Sequence, residues 1–539
     1  MPDPTDAPGY TNRGVDYARQ QRYEEALADY ERAIKLDRSY VPAYINRGVI
    51  YEELQQNYGR ALKDYDRAIK LDPDYALAYH NRGLTLVKMQ RYEKALADFT
   101  SAVELDSSYA LAYFGRGAAL VKMQRYEEAL ADFTSAVELD PDYGQAHFNR
   151  GVALVKMQRY EEALADFTSA VELDPDNARA YSNRGLTCHK LQRYEEALAD
   201  YNRAIELDPG DARAYFNRGN THYRLQRYEE ALADYNRAIE LDPHYVPAYI
   251  NRGIANDSLF FYDEAMEDYI TASQLDRDNP LVYFNSGTTY YKLRRYDQAL
   301  TDYNRALQID PNYMQAHFNR GLIYVSLQQY DQALASYTRA IELDPDNAQA
   351  YYNRGLTYHM LQRYEEALAD YERAIELDPN HTEAYYNRGL AYYMLQRHEE
   401  ALEDYTKAIQ LDPNCVSAYI NRGVTYVRLE RYEEALENYS SALQINSKDA
   451  KAYYNRGSIY DELERYDEAL EDYNRAIQID PALAPAYLKI GTLLYLRRGA
   501  EQEALPYFEK AANLGHREGA QHAARVREML KGQSPDSEG

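Results

Sequence analysis

Tryptophan is missing from this sequence altogether, against 59 tyrosines, and proline is sparse at 19 among 539 residues. A chain of that length ordinarily divides into about three or four globular domains. So monotonous a composition speaks against that division. Cysteine occurs only twice, at Cys188 and Cys415, far apart in the chain. That rules out a disulfide framework and suits a reducing compartment. No run of about eighteen apolar residues occurs, so no membrane insertion is expected. The opening MPDPTDAPGY has neither a basic segment nor an apolar stretch. No signal peptide is therefore expected, and the address reads as cytoplasmic. Positive charge is also short: 61 Lys and Arg stand against 87 Asp and Glu, a net charge of −26. An excess of that size disfavours nucleic acid and anionic membrane surfaces as partners.

The motifs of catalysis are missing too. There is no P-loop, no GxGxxG after a strand, no HExxH and no pair of CxxC. The 11 histidines are scattered, and His147 and His317 stand at an aromatic position where packing is the expected role. Cys188 replaces a repeated tyrosine and reads as buried and inert. Asn256 and Asn438 begin N-x-S/T triplets, which mean little without secretion. Paired acids can do acid–base work, but those of the recurring EEALADY segments read as a solvated helix face. No enzyme activity, metal or cofactor is expected.

What the sequence has in abundance is one pattern. The triplet Asn-Arg-Gly returns with few losses, and its glycine recurs at Gly14, Gly48, Gly83, Gly117, Gly151, Gly185, Gly219, Gly253, Gly287, Gly321, Gly355, Gly389, Gly423, Gly457 and Gly491. Each spacing is 34 residues except Gly48 to Gly83, where an extra residue falls around Asn57. The period predicts a repeat array. Repeat eleven shows the physics. Tyr351, Gly355 and Tyr358 share one face of a first helix, A, and Ala367, Tyr371 and Ala374 one face of a second, B, from about Tyr364 to Leu377. Glu365 and Glu366 suit the start of B, and Pro379 stops it. Gly355, Ala367 and Ala374 are small where the helices cross. Such a pair cannot bury its apolar faces alone, so neighbours stack.

The order of aromatic, Gly, Tyr, Ala, Tyr, Ala and Pro within 34 residues resembles the tetratricopeptide repeat. Two departures stand out: Tyr or His where the family often has Trp, and Arg354 where it often has Leu. The resemblance implies an all-α, right-handed superhelical solenoid of about fifteen helix-turn-helix repeats with a closing helix. Residues 1–6 are expected as a leading tail and 7–245 as repeats one to seven. Residues 246–279 form the divergent repeat eight, a kink or a join. Residues 280–517 are repeats nine to fifteen, 518–532 a capping helix and 533–539 a tail.

With the glycine numbered position 8, the resemblance implies that positions 2, 5, 6, 9, 12 and 13 of helix A line a concave groove. Position 6 is asparagine at Asn12, Asn46, Asn81, Asn149, Asn183, Asn217, Asn251, Asn285, Asn319, Asn353, Asn387, Asn421 and Asn455, with breaks at Gly115 and Lys489. The column resembles the asparagine ladder in the repeat array of the O-linked N-acetylglucosamine transferases, where such amides grip an extended peptide backbone. An amide offers both a donor and an acceptor, as a peptide unit does. Two readings stand side by side: contact with ligand, or capping and bridging of adjacent helices. Position 5 adds aromatics, among them Phe148, Phe216, Tyr352 and Tyr386, as groove anchors or as interhelical packing. Position 13 adds Lys122, Lys156, Lys190 and Arg224, a basic stripe for acidic segments or for pairing with local acids. The arginine of the triplet reads as structural, with the position-23 aspartate (Asp370 in repeat eleven) as its candidate partner.

The expected function is a non-catalytic scaffold that binds extended protein or peptide segments. The alternatives are a co-chaperone-like adaptor for acidic peptide termini, a targeting subunit for a separate glycosyltransferase or other enzyme, and end-to-end self-association through an uncapped first repeat. The adaptor version wants Lys at position 5 and Asn at position 9 of one repeat. Position 5 has no Lys, and Asn220 alone fits position 9.

Overall fold

A computed structural model describes residues 4–55 and 57–532. The expected tail 533–539, the first three residues of the leading segment and residue 56 beside Asn57 lie outside the described residues. Among the described residues the chain forms 31 α-helices, which pair in sequence order as A and B and leave one helix, Arg517–Gly532, after the last pair. The chain divides into two compact units, Met1–Arg277 and Asp278–Gly539. The division falls inside 246–279, after the B helix Tyr262–Leu275 of repeat eight.

Repeat eleven again shows why these residues fold this way. Helix A is Ala348–Met360 and helix B is Tyr364–Leu377. The side chain of Asn347 caps helix A by accepting the Ala350 N–H at 3.0 Å. Helix A ends on Gln362, which takes a left-handed φ of 58°. The Arg363 N–H then returns to the Tyr358 carbonyl at 2.9 Å, which satisfies an otherwise orphaned acceptor. Helix B stops at Asp378 in extended backbone, whose carboxylate takes the Asn380 N–H at 3.1 Å.

The core is thin and repeats. Ala350, Ala367, Tyr371 and Ala374 are fully buried. Gly355 lies against the Tyr371 ring, and a β-carbon there would stand 3.0 Å from it. At Gly321 the distance to Tyr337 would be 2.5 Å. The glycine is thus required by close approach of the two helices, since real β-carbons do not come that near.

The arginine that follows most ladder asparagines closes the repeat; after Asn285 stands Ser286. Arg354 donates to Asp370 through Nε at 2.8 Å and Nη2 at 2.7 Å. Its third nitrogen, Nη1, donates to Thr338 Oγ1 at 3.1 Å, on helix B of the preceding repeat. The planar guanidinium suits this paired geometry, and its plane lies near the Tyr351 ring.

Candidate functional site

The A-helix face carries the residues singled out above. The ladder amides from Asn46 to Asn455 are half-buried, and Asn12 is exposed. Most spend one amide hydrogen within the fold. Asn46, Asn149, Asn183, Asn285 and Asn353 donate to the carbonyl four residues earlier, at 2.8–2.9 Å. Asn387 and Asn421 donate to the Tyr352 and Tyr386 hydroxyls of the preceding repeat, at 3.0 and 2.8 Å. Asn319 reaches Tyr303 Oη, and Asn251 reaches Asn220 Oδ1. The side-chain amides of Asn81, Asn217 and Asn455 make no hydrogen bond among the described residues. The column therefore bridges helices at several steps. At Asn149, Asn183 and Asn353 the amide oxygen carries no bond among the described residues. The break at Gly115 has a steric side: a β-carbon there would come within 2.6 Å of the Phe99 ring.

The position-5 rings are half-buried and pack inside their own repeats. Phe148 meets Phe167 at 5.8 Å between centroids, Phe216 meets Tyr235 and Tyr245, Tyr352 meets Tyr371 and His381, and Tyr386 meets Tyr405. These contacts seal helix A to helix B and to the loop that follows. His147 is a packing residue as well, bonded to Asp166 and to the Pro141 carbonyl. Cys188 is buried, which pushes its thiol up to about 11.

The position-13 cations Lys122, Lys156, Lys190 and Arg224 are exposed. No carboxylate lies within 4.0 Å of them among the described residues. Lys88, one step earlier, is instead tied to Glu52 at 2.7 Å. In the second unit the same column is mixed: Lys292 and Arg428 remain basic, Ser326 and Glu462 are polar, and Met360 and Met394 are apolar and exposed at 46% and 51%.

One cleft of about 330 Å³ brings several of these residues together in the first unit. It is lined by His189, Asn220, Tyr223, Arg224, Tyr235, Asn251 and Ile254, from positions 6, 9, 12 and 13 of repeats six to eight and one B helix. Asn220 Oδ1 accepts from Tyr235 Oη at 2.9 Å and from Asn251 at 2.7 Å. Tyr223 Oη meets Ser258 Oγ at 3.1 Å, and His189 Nδ1 meets Thr221 Oγ1 at 2.9 Å. Burial, and then the charges of Lys190 and Arg224, hold the His189 pKa below its ordinary value. His189 and Ile254 were not foreseen as site residues. The signal that leads to them is Asn220, a polar residue in a position-9 column otherwise rich in Val, Leu and Ala. Phe148 lines a separate cleft with Gln145, Asn177 and Arg179.

Known families match along the same period. A TPR repeat model matches residues 14–55, 54–90, 262–294, 287–328, 321–362 and 426–463. Tetratricopeptide-repeat models match 80–144, 116–177 and 148–212, and also 212–245, 348–381, 382–415 and 450–483. The chain belongs to the tetratricopeptide-repeat family. Among solved structures, that of YrrB, described as a TPR protein with an unusual peptide-binding site, shares 32% identity at a TM-score of 0.32. It covers 34% of this chain and 95% of its own. A crystal structure of MamA protein shares 29% at a TM-score of 0.31, over 32% and 94%. The APC/C hetero-tetramer Cut9-Hcn1 shares 14% at a TM-score of 0.36, over 91% and 97%. A search of curated proteins returned no match.

All matched models are of tetratricopeptide repeats, and no catalytic domain is identified. Among the described residues no helix is long and apolar enough to cross a membrane, and no three His, Cys, Asp or Glu are grouped to hold a metal ion. The chemistry on the A-helix face is that of hydrogen bonding and charge.

Proposed function

We propose that this tetratricopeptide-repeat protein is a non-catalytic scaffold that holds extended peptide segments of other proteins along the A-helix face. The observation that carries the reading is the column of half-exposed amides with oxygens available at Asn149, Asn183 and Asn353. Their internal donor bonds fix the side chains on the helix surface, so each presents its acceptor without first losing rotamer freedom. A row of such acceptors, each followed by one remaining donor hydrogen, matches the alternation of a peptide backbone. Each contact contributes roughly 1 kcal/mol net, so several in a row give affinity with little side-chain preference.

The test uses labelled extended peptides selected from a random display library on the wild-type protein. Replacing Asn319, Asn353 and Asn387 together by Ala should weaken binding at least about tenfold, read by fluorescence anisotropy. Circular dichroism checks that the helices remain. Unchanged affinity in a folded triple variant would show that the ladder does not hold the peptide.

A further inference from the structure

Position 11 of helix A is tyrosine in eight of the repeats. In repeats one and eleven to fourteen its ring lies under the position-16 arginine of the turn between A and B. Arg22 covers Tyr17, Arg363 covers Tyr358, Arg397 covers Tyr392, Arg431 covers Tyr426 and Arg465 covers Tyr460, at 4.4–4.6 Å to the ring centroid. Repeats four, five and six break the column with Leu120, Leu154 and Cys188. At each break a cleft opens against the preceding repeat, of about 410, 340 and 300 Å³ in turn. The first is lined by Leu96 and Thr100 of the preceding helix B and by Leu120, Arg125 and Glu128 of the repeat itself. The other two have the same walls, with Cys188 replacing leucine in the third. The arginine is already held in each: Nε and Nη2 of Arg125, Arg159 and Arg193 donate to Glu128, Glu162 and Glu196 at 2.6–2.8 Å. Arg363 is likewise bonded to Glu366 while it covers its ring. Ala131, Ala165 and Ala199 line the clefts and are exposed, where repeats twelve to fourteen carry Glu403, Glu437 and Glu471.

We propose that these three clefts receive aromatic side chains, Phe or Tyr, from a partner protein. Each ring takes the place that a tyrosine of this chain fills in repeats eleven to fourteen. The guanidinium of Arg125, Arg159 or Arg193 meets the electron-rich face of the ring, and the leucines of the cleft meet its apolar edge. The room suffices, since a cavity of about 150 Å³ holds benzene. At about 100° per residue, positions 7 and 11 lie on the opposite side of helix A from positions 5, 9 and 12. The row is therefore separate from the ladder. Successive A helices touch, and packed helices lie about 8–10 Å apart. A polyproline II segment rises about 3.1 Å per residue with three residues per turn, so every third side chain points the same way about 9 Å further on. The occupant that matches this spacing is a proline-rich segment with an aromatic residue at every third position.

A labelled peptide of three Tyr-Pro-Pro units tests this against its twin with Ala for each Tyr. By fluorescence anisotropy the Tyr peptide should bind the wild-type protein at least about tenfold tighter than its twin. The triple variant Leu120→Tyr, Leu154→Tyr, Cys188→Tyr fills the clefts with the ring that eight repeats already carry. It should keep its helices by circular dichroism and lose that advantage. A second triple variant, Arg125→Gln, Arg159→Gln, Arg193→Gln, removes the cations and should weaken the Tyr peptide about tenfold. Surface ion pairs contribute little to stability, so its fold is kept. Equal binding of the two peptides to the wild-type protein, or binding of neither, overturns the proposal. A Tyr preference that survives in a folded, filled variant overturns the placement. If the filled variant does not fold, an unchanged affinity in the arginine variant overturns it instead.

Discussion

The two compact units treat the same ion pair differently. In every repeat of Met1–Arg277 the position-7 arginine meets a position-23 aspartate, from Arg13 with Asp29 to Arg252 with Asp268. In Asp278–Gly539 the pair is altered in four repeats, and in repeat fifteen it is gone, with the buried Ile490 at position 7. Ser286 stands against Asp302, Arg320 against Ser336, and Arg422 against Asn438. Helix B forms in each case. Each of the three polar replacements keeps a hydrogen bond: Arg320 Nε reaches Ser336 Oγ at 3.2 Å and Arg422 Nε reaches Asn438 Oδ1 at 2.7 Å. The electrostatics register the change. Burial raises the Asp302 pKa and lowers those of Arg320 and Arg422. The contrast teaches that a polar group placed at this point is given a hydrogen-bond partner, and that the repeat does not need charge there. A buried ion pair often does little better than a neutral replacement, whereas a stranded partner is costly.

That comparison can be broken. Arg150→Ala leaves Asp166 buried with only His147 beside it, and should cost about 3–5 kcal/mol locally. Arg320→Ala strands no carboxylate and should cost about 1–2 kcal/mol. Native-state hydrogen exchange in the affected repeats measures both, and equal costs would overturn the account. The next test is acid. His80 lies at position 5 of the first unit, where the second unit has no histidine, and burial holds its ring pKa at about 4. The folded value lies below the ordinary 6.5, so His80 stabilises above pH 6.5 and that contribution disappears as pH falls towards 4. The loss should reach about 2–3 kcal/mol, and His80→Phe should flatten the pH dependence of the urea midpoint. In the other direction, Ser336→Asp gives Arg320 the carboxylate it lacks. It should leave the local stability of repeat ten within about 1 kcal/mol of the wild type, read by the same exchange. The smallest effect concerns binding. Met360→Lys with Met394→Lys fills the gap between Lys292 and Arg428 in the second unit's column and should improve affinity for Glu-rich extended peptides by about threefold at low salt, with no gain at high salt.

Much of this was legible in the sequence for physical reasons. Helix limits followed from Pro379 and from the small residues at the crossing, because those positions admit few alternatives. Tyr364–Leu377 lies where the pattern put helix B. The partnership of Arg354 with Asp370 was legible too, since 16 residues separate two positions on facing helices. The ladder's bonding was not. A half-exposed amide has its own carbonyl four residues back, a tyrosine of the preceding repeat and solvent all within reach. Sequence spacing does not choose between the Gln349 carbonyl for Asn353, the Tyr386 hydroxyl for Asn421, and both kinds of acceptor for Asn387. Nor did it show Lys88 taken up by Glu52, a partner 36 residues away. The left-handed glutamines at Gln21, Gln90 and their counterparts were also hidden, because a non-glycine residue gives no sign of a positive φ.

The three-way reach of Arg354 has a mechanical consequence. Two of its bonds, both to a carboxylate, hold helix A to its own helix B, and one bond to a neutral hydroxyl holds it to the repeat before. Strong and weak seams therefore alternate along the chain. A pulling force applied to the ends should open the weak seams first and peel off whole repeats. Each event would release 34 residues, a gain on the order of 110 Å of extended chain. The best places to cut or splice the array are the same weak seams, between one repeat's helix B and the next repeat's helix A.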